Sequence, residues 1–192
     1  MTSTTDPAPR TRLIQAAQEL FWDDGISATS PRDVMDASGV TQGSLYHHFP
    51  SKKDLARAAV SDSVQASLRS AAAQLGGGGD AHDRLVAYLT RDRAATRGCR
   101  IGRLTADPAV AADPELSGAV AGYFTDLIGL VRDVLVERGV GERSDDMAHA
   151  AVAVVQGGYV LAKATQDDEA MRAAVRGFVT LLGAGTAAAP GR

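Results

Sequence analysis

His47 and His48 follow Tyr46 in GVTQGSLYHHFPSKKDL, residues 39–55, and these side chains invite a chemical reading first. As a chelating pair they fail on geometry, because neighbours at i and i+1 of a helix point about 100° apart. As catalysts they lack a nucleophile or carboxylate at a recognisable spacing nearby. Two readings stay open: an exposed amphipathic turn, or a helix-turn-helix whose polar residues meet DNA. The second reactive candidate is the single cysteine, Cys99, with Arg97, Arg100 and Arg103 around it in TRGCRIGR. Cations near a thiol favour the reactive thiolate. The plainer alternative is a small hydrophobe at a helix end.

The elements that must position these residues read as helices. Leu13, Ala16, Ala17, Leu20 and Phe21 follow the i, i+3, i+4, i+7, i+8 spacing of a one-faced helix, which Gly25 ends. SPRD predicts a start for the next: Ser30 as N-cap, Pro31 at the first helical position, Asp33 reaching back. That helix stops at Gly39, and another spans residues 41–48, where Pro50 forbids continuation. Val34, Val40 and Leu45 are expected to face inward. SKKD opens a long fourth helix to about residue 75, broken by the four glycines 76–79. Further helices are expected over 80–96, from 114 to 138 with Asp113 as N-cap, from SDDM to 165, and from DDEAM to 183. No strand-like alternation or internal repeat occurs, so the fold class is all-α with about nine helices.

Composition narrows the function classes. The 192 residues are 45% hydrophobic and only 5% aromatic, which suits closely packed helices. The net charge of −3, and six Lys/Arg against seven Asp/Glu in the first 60 residues, do not signal nucleic acid by themselves. Basic groups would have to gather on one face. One cysteine allows no intrachain disulfide and no cysteine-based metal site, which fits a reducing cytoplasm. No metal and no cofactor is expected. MTSTTDPAPRTR lacks the apolar core of a signal peptide, and no apolar run reaches membrane-spanning length, so a soluble, cytoplasmic chain with no membrane partner is expected. Residues 1–8 and 186–192 are expected to be disordered ends.

ATSPRDVMDASGVTQGSLYHHFPSKKDL, preceded by RLIQAAQELFWDDG, resembles the N-terminal signature of TetR-type transcriptional regulators. The likeness covers residues 10 to about 60. GCRIGRLTADPAVAADPEL and QGGYVLAKATQDDEAM resemble, more loosely, the C-terminal domains of one subgroup. Pro31 departs from the usual pattern but is harmless at the first helical position. The resemblance implies a helix-turn-helix domain at 9–55, a connecting helix and glycine linker at 56–79, and an effector-binding and dimerisation domain at 80–185.

The DNA contacts implied are specific. Thr41, Gln42, Gly43 and Ser44 open the recognition helix. Gln42 can pair bidentately with adenine, and Gly43, lacking a side chain, permits close approach. Tyr46, His47 and Lys52 suit phosphate oxygens, and Thr29, Ser30 and Arg32 suit the other strand's backbone. His48 is left between DNA and packing.

In the C-terminal part, Tyr88, Leu104, Tyr123, Leu127 and Tyr159 are candidates for an effector pocket, with plain core filling as the alternative for each. Tyrosines stand out because a buried hydroxyl needs a partner. Cys99 is a candidate sensor of electrophiles or oxidants, with Lys163 beside it, since the resembled subgroup has a cysteine and a lysine in similar surroundings. The last two helices each bury a face. The resemblance implies a two-fold dimer interface there, with Val154, Gly158, Leu161, Val175 and Phe178 as candidates. The implied protein is a homodimeric repressor that leaves a palindromic double-stranded operator when a small apolar or electrophilic effector binds. It is not an enzyme. The rivals are a small all-α enzyme using Cys99 and an interaction module on a helix-turn-helix scaffold.

Overall fold

A computed structural model describes residues 7–184; of the ends expected to be disordered, 1–8 and 186–192, all but residues 7 and 8 lie outside the described residues. Helix α1, Pro9–Asp23, buries Leu13, Ile14, Ala17 and Phe21, the face its spacing predicts. Helix α2, Pro31–Ser38, begins in a complete capping box: the Asp33 amide donates to Ser30 Oγ, and the Ser30 amide donates to the Asp33 carboxylate. Gly39 closes α2 in the left-handed conformation, φ 64°, which a residue with a Cβ adopts at a cost. Helix α3, Gln42–His48, stops at Phe49, whose extended backbone is the one proline demands of its predecessor. Helix α4, Lys52–Leu75, starts at Ser51, which accepts from the Asp54 amide.

Helix α5, Ala81–Thr90, is shorter than its periodicity predicts. Arg93 is the reason. Its guanidinium donates to the carbonyls of Tyr88, Leu89 and Arg91, satisfying the acceptors that a continuing helix would have used. Two 3₁₀ turns, Ala95–Arg97 and Gly102–Ala106, lead to a short helix α6, Pro108–Ala111. Helices α7, Pro114–Glu137, α8, Ser144–Thr165, and α9, Asp168–Ala184, complete the chain. The described residues contain no strand.

The chain divides into two units. One comprises residues up to 65 together with 100–121, and the other comprises 66–99 together with the residues from 122 onward, so α4 and α7 contribute to both. Residues 100–121, expected with the C-terminal domain, fall in the unit that holds the helix-turn-helix. Two aspartates show why. Asp107 is nearly buried and accepts from the amides of Ile26 at 2.7 Å, Ser27 at 3.2 Å and Ala109 at 2.9 Å, and from Ser27 Oγ at 2.5 Å. Burial pushes its carboxyl up, but these donors outweigh it and hold the group below the usual carboxylate range. Gly25 lies against it at φ 92°, where a Cβ would sit 2.8 Å from an Asp107 oxygen. Asp113 caps α7 through the amides of Glu115 and Leu116 and also holds Arg57 of α4.

In the second unit, α8 and α9 pack along each other. Gly158 lies under Met171: a Cβ there would come 2.9 Å from Met171 Cγ and 3.3 Å from its Cα. Val155 and Ala162 of α8 and Val175, Phe178 and Leu182 of α9 are buried as well. Arg84 of α5 pairs with Glu137 at the end of α7.

Candidate functional site

The beginning of α3 has side chains that the fold does not use. Thr41, Gln42 and Gly43 are exposed, and Thr41 provides no side-chain cap for the helix it precedes. A Cβ on Gly43 would meet nothing within 4 Å. Packing within the chain therefore gives no reason for glycine here. Leu45 and Phe49 are the buried residues of this stretch. Ser44 is half-buried, while Tyr46, at 44% exposure, and His47 face solvent. His48 is half-buried and meets the His47 ring edge-on at 5.1 Å.

Lys52 Nζ reaches the Ser27 carbonyl at 3.4 Å, beside the start of α2. Arg32 is exposed and stands 3.8 Å from Asp36. Ser30 caps α2, and its backbone and side-chain hydrogen bonds hold the Asp33 carboxyl below its usual range. Thr29 is different from its expectation as a phosphate contact. It is 3% exposed, and its hydroxyl donates to the Gly25 carbonyl at 2.7 Å, so it shapes the bend before α2. Its hydroxyl is consumed by the turn that Gly25 makes.

A cavity of about 30 Å³ in the second unit has Tyr88, Cys99, Tyr123, Leu127 and Tyr159 in its wall. That is room for roughly one water as it stands. Burial pushes all three phenols up, Tyr159 to about 12, with Cys99 adding to the rise for each. At Tyr88, Arg91 and Arg93 oppose the rise; their guanidinium carbons lie 4.6 and 5.6 Å from its ring centroid. Neither arginine stands out in sequence from the others after residue 90, and Gln156, also in the wall, carries no signal at all.

Two expected members of this cavity lie elsewhere. Leu104 belongs to the first unit, where it lines a crevice with Phe21, Trp22 and Val60, because the chain from residue 100 returns to the N-terminal helices. Lys163 is exposed; its stem lies along Gly98, with Cδ 3.6 Å from the place of a Cβ there.

The expected interface residues divide in the same way. Gly158, Val175 and Phe178 are buried within the single chain, Gly158 against Met171 of α9. Val154 is half-buried. Leu161 is 50% exposed, and with it Val160 at 68% and Leu181 at 71% leave apolar surface on the outer side of both helices. Ala153, Gly157 and Ala164 continue the α8 stripe. The spacing of small residues marked both faces of α8; only packing tells which faces its own chain.

Comparison with known proteins agrees with this arrangement. A family model described as "Bacterial regulatory proteins, tetR family" matches residues 13–59, and one described as "Transcriptional regulator LmrA/YxaF-like, C-terminal domain" matches residues 80–176. The HTH-type transcriptional repressor KstR2 of Rhodococcus jostii is 50% identical over 46 residues, 24% of this chain and 22% of that protein. The likeness to that curated relative therefore spans less than a quarter of its length. An uncharacterized HTH-type transcriptional regulator in the lacX 3′ region of Lactococcus lactis is 24% identical over 174 residues, 81% of this chain and 84% of that one. Among solved structures, the reduced form of Escherichia coli NemR superposes with a TM-score of 0.78 at 21% identity, covering 89% of this chain and 95% of that chain. A TetR transcriptional regulator from Chloroflexus aurantiacus does so at 0.78 and 25% identity, covering 91% and 94%. With the helix-turn-helix and the C-terminal helices each matched by its own model, the chain belongs to the TetR family of bacterial transcriptional regulators.

Proposed function

We propose that this regulator is a cytoplasmic repressor that holds a palindromic operator as a homodimer and lets go when a small molecule enters the Tyr88–Tyr123–Tyr159 cavity. The observation that carries the reading is the start of α3. An exposed glutamine next to a glycine with empty space over its Cα is costly to a short helix and useful to one that must lie close to base edges. Gln42 reads a base edge, Thr41 and Ser44 flank it, and Tyr46, His47, Lys52, Ser30 and Arg32 hold phosphates. The repressor sense of the response is supported by the KstR2 relatives, which match over this segment.

The dimer uses the outer sides of α8 and α9, around Leu161, Val160 and Leu181, with Val154 at the margin. Such a pair presents two copies of α3 related by a two-fold axis, hence half-sites about 34 Å apart or a multiple of that. The effector is largely apolar or electrophilic. It acts by binding one dimer geometry better than the other, since equal affinity for both would shift nothing. Cys99 in the cavity wall is the candidate point of attack for an electrophile.

A gel shift with the DNA flanking the chain's own coding region tests the reading. Retarded DNA that is released by a screened apolar compound supports it; no retardation of any flanking fragment overturns it. Repeating the release with a quinone, on wild type and Cys99→Ser, decides the electrophilic branch: loss of response in the variant supports it, and equal response removes Cys99 from the mechanism.

A further inference from the structure

A second cavity in the same unit is larger than the tyrosine one. It is a cleft of about 250 Å³ between the end of α5, the segment after it, and α9. Its floor is apolar: Leu89, Ala95, Met171 and Val175 are all buried and all line it. Its rim is mostly cationic, with Arg91 and Arg93 on one side and Arg172 and Arg176 on the other.

Asp92 and Asp168 also line the cleft, and with Glu169 they set three carboxylates against the four guanidiniums. Asp168 accepts from the Thr96 amide at 2.9 Å. Glu169 is shared between Arg172 at 2.7 Å and Arg176 at 2.5 Å. Asp92 is exposed. Arg91 donates to the Gln74 amide oxygen at 3.3 Å, and Arg93 to three backbone carbonyls and to the Tyr88 hydroxyl. Among the described residues neither of these two has a carboxylate partner. Burial, and then Arg91 two residues away, raise the cost of the charge on Arg93. A guanidinium kept half-buried without a counter-ion is expensive, and an anion arriving in the cleft repays that cost.

We propose that this cleft is a binding site for a small organic anion, a carboxylate with an apolar body, whose head meets Arg91 and Arg93 and whose body covers Leu89, Met171 and Val175. The apolar floor disfavours simple inorganic anions as the natural occupant, because they would leave it uncovered and in contact with water. The positive rim disfavours neutral and cationic analogues of the same shape. Arg91 and Arg93 also stand in the wall of the tyrosine cavity, so the anion fixes two residues that border the effector described above.

The test uses the full-length protein and three probes of one shape: octanoate, octan-1-ol and octylamine. Calorimetry reads affinity, and ¹³C-methyl-labelled methionine reads location, since Met171 is in the floor while Met35 and Met147 are outside the lining. Octanoate should move the Met171 methyl signal, bind roughly tenfold or more tightly than octan-1-ol, and outcompete octylamine entirely. Arg91→Gln should remove most of that preference, and Thr90→Trp, at the exposed lip, should block octanoate while leaving circular dichroism unchanged. Equal affinity for octanoate and octan-1-ol, a stationary Met171 signal, or indifference to both substitutions overturns the proposal. Operator retardation is read separately. A protein that holds DNA yet fails these readings loses only the cleft, and one that passes them without holding DNA loses only the repressor reading.

Discussion

Asp113 and Arg57 meet in a two-pronged pair, Nε to one carboxylate oxygen and Nη2 to the other, both at 3.1 Å. Lys53 Nζ is 3.2 Å from the same carboxylate, which is 1% exposed. One residue thus caps α7 and ties it to the helix that follows α3. The Arg57 hydrogen bonds, with help from Lys53, hold Asp113 far below the usual carboxylate range. Its folded value is depressed, so the stabilisation is complete above the ordinary value of 3.8 and is lost as pH falls toward the folded one. Asp113→Asn should therefore lower Tm clearly at pH 7, and the gap to wild type should close as pH falls below about 4. Thermal melts of both proteins across that range check it; a gap independent of pH would mean that the charge contributes nothing.

Gly43→Ala separates folding from recognition. With nothing near the added methyl, the variant should gain up to about 1 kcal/mol of stability from helix propensity. It should nevertheless hold the operator less tightly. Gln42→Ala should relax sequence choice at one position per half-site, by ~1–3 kcal/mol, whereas Lys52→Ala should weaken all sequences alike and flatten the salt dependence. Melts paired with gel shifts over a small operator library give all three results. A Gly43→Ala protein with undiminished operator affinity would place α3 farther from the bases.

Gly158→Ala should destabilise the monomer fold by roughly 1–3 kcal/mol, because the methyl meets Met171 side chain and backbone together. Val160→Arg should act on the dimer and not on the fold. At 68% exposure it leaves the chain's own packing intact and should dissociate the dimer, with loss of operator binding. Sedimentation and melting curves on both variants distinguish the two faces of α8; a Val160→Arg protein that stays dimeric moves the interface off α8.

Alkaline titration reports on the tyrosine cavity. Tyr159 has a folded value of about 12 against an ordinary 10.0, because burial opposes the phenolate. A raised value means stability that is whole below pH 10 and is lost as pH rises toward 12. Tyr159→Phe should thus resist alkaline unfolding better than wild type over that interval. Phenolate absorbance and circular dichroism followed together check it, and coincident curves for the two proteins would show an open, solvated cavity.

The boundaries of α1 to α4 and the capping of α2 could be read from sequence because they are local: Ser30, Asp33, Gly39 and Pro50 act within a few residues of themselves. The exposed beginning of α3 was legible for the same reason. Polar residues followed by buried Leu45 and Phe49 tell inside from outside within one turn. Tertiary structure alone decided the rest. Thr29 looked like a surface hydroxyl until Gly25 folded back to take its hydrogen bond. Leu104 looked like pocket lining until Asp107 anchored its segment to Ile26 and Ser27, about eighty residues earlier. Gly158 and Leu161, three apart on α8, carried the same small-and-apolar signal, yet Met171 covers one and the other stays half exposed. Helix periodicity measures how much of a surface is apolar; which neighbour covers it depends on contacts between residues far apart in the chain, and those leave no periodic trace.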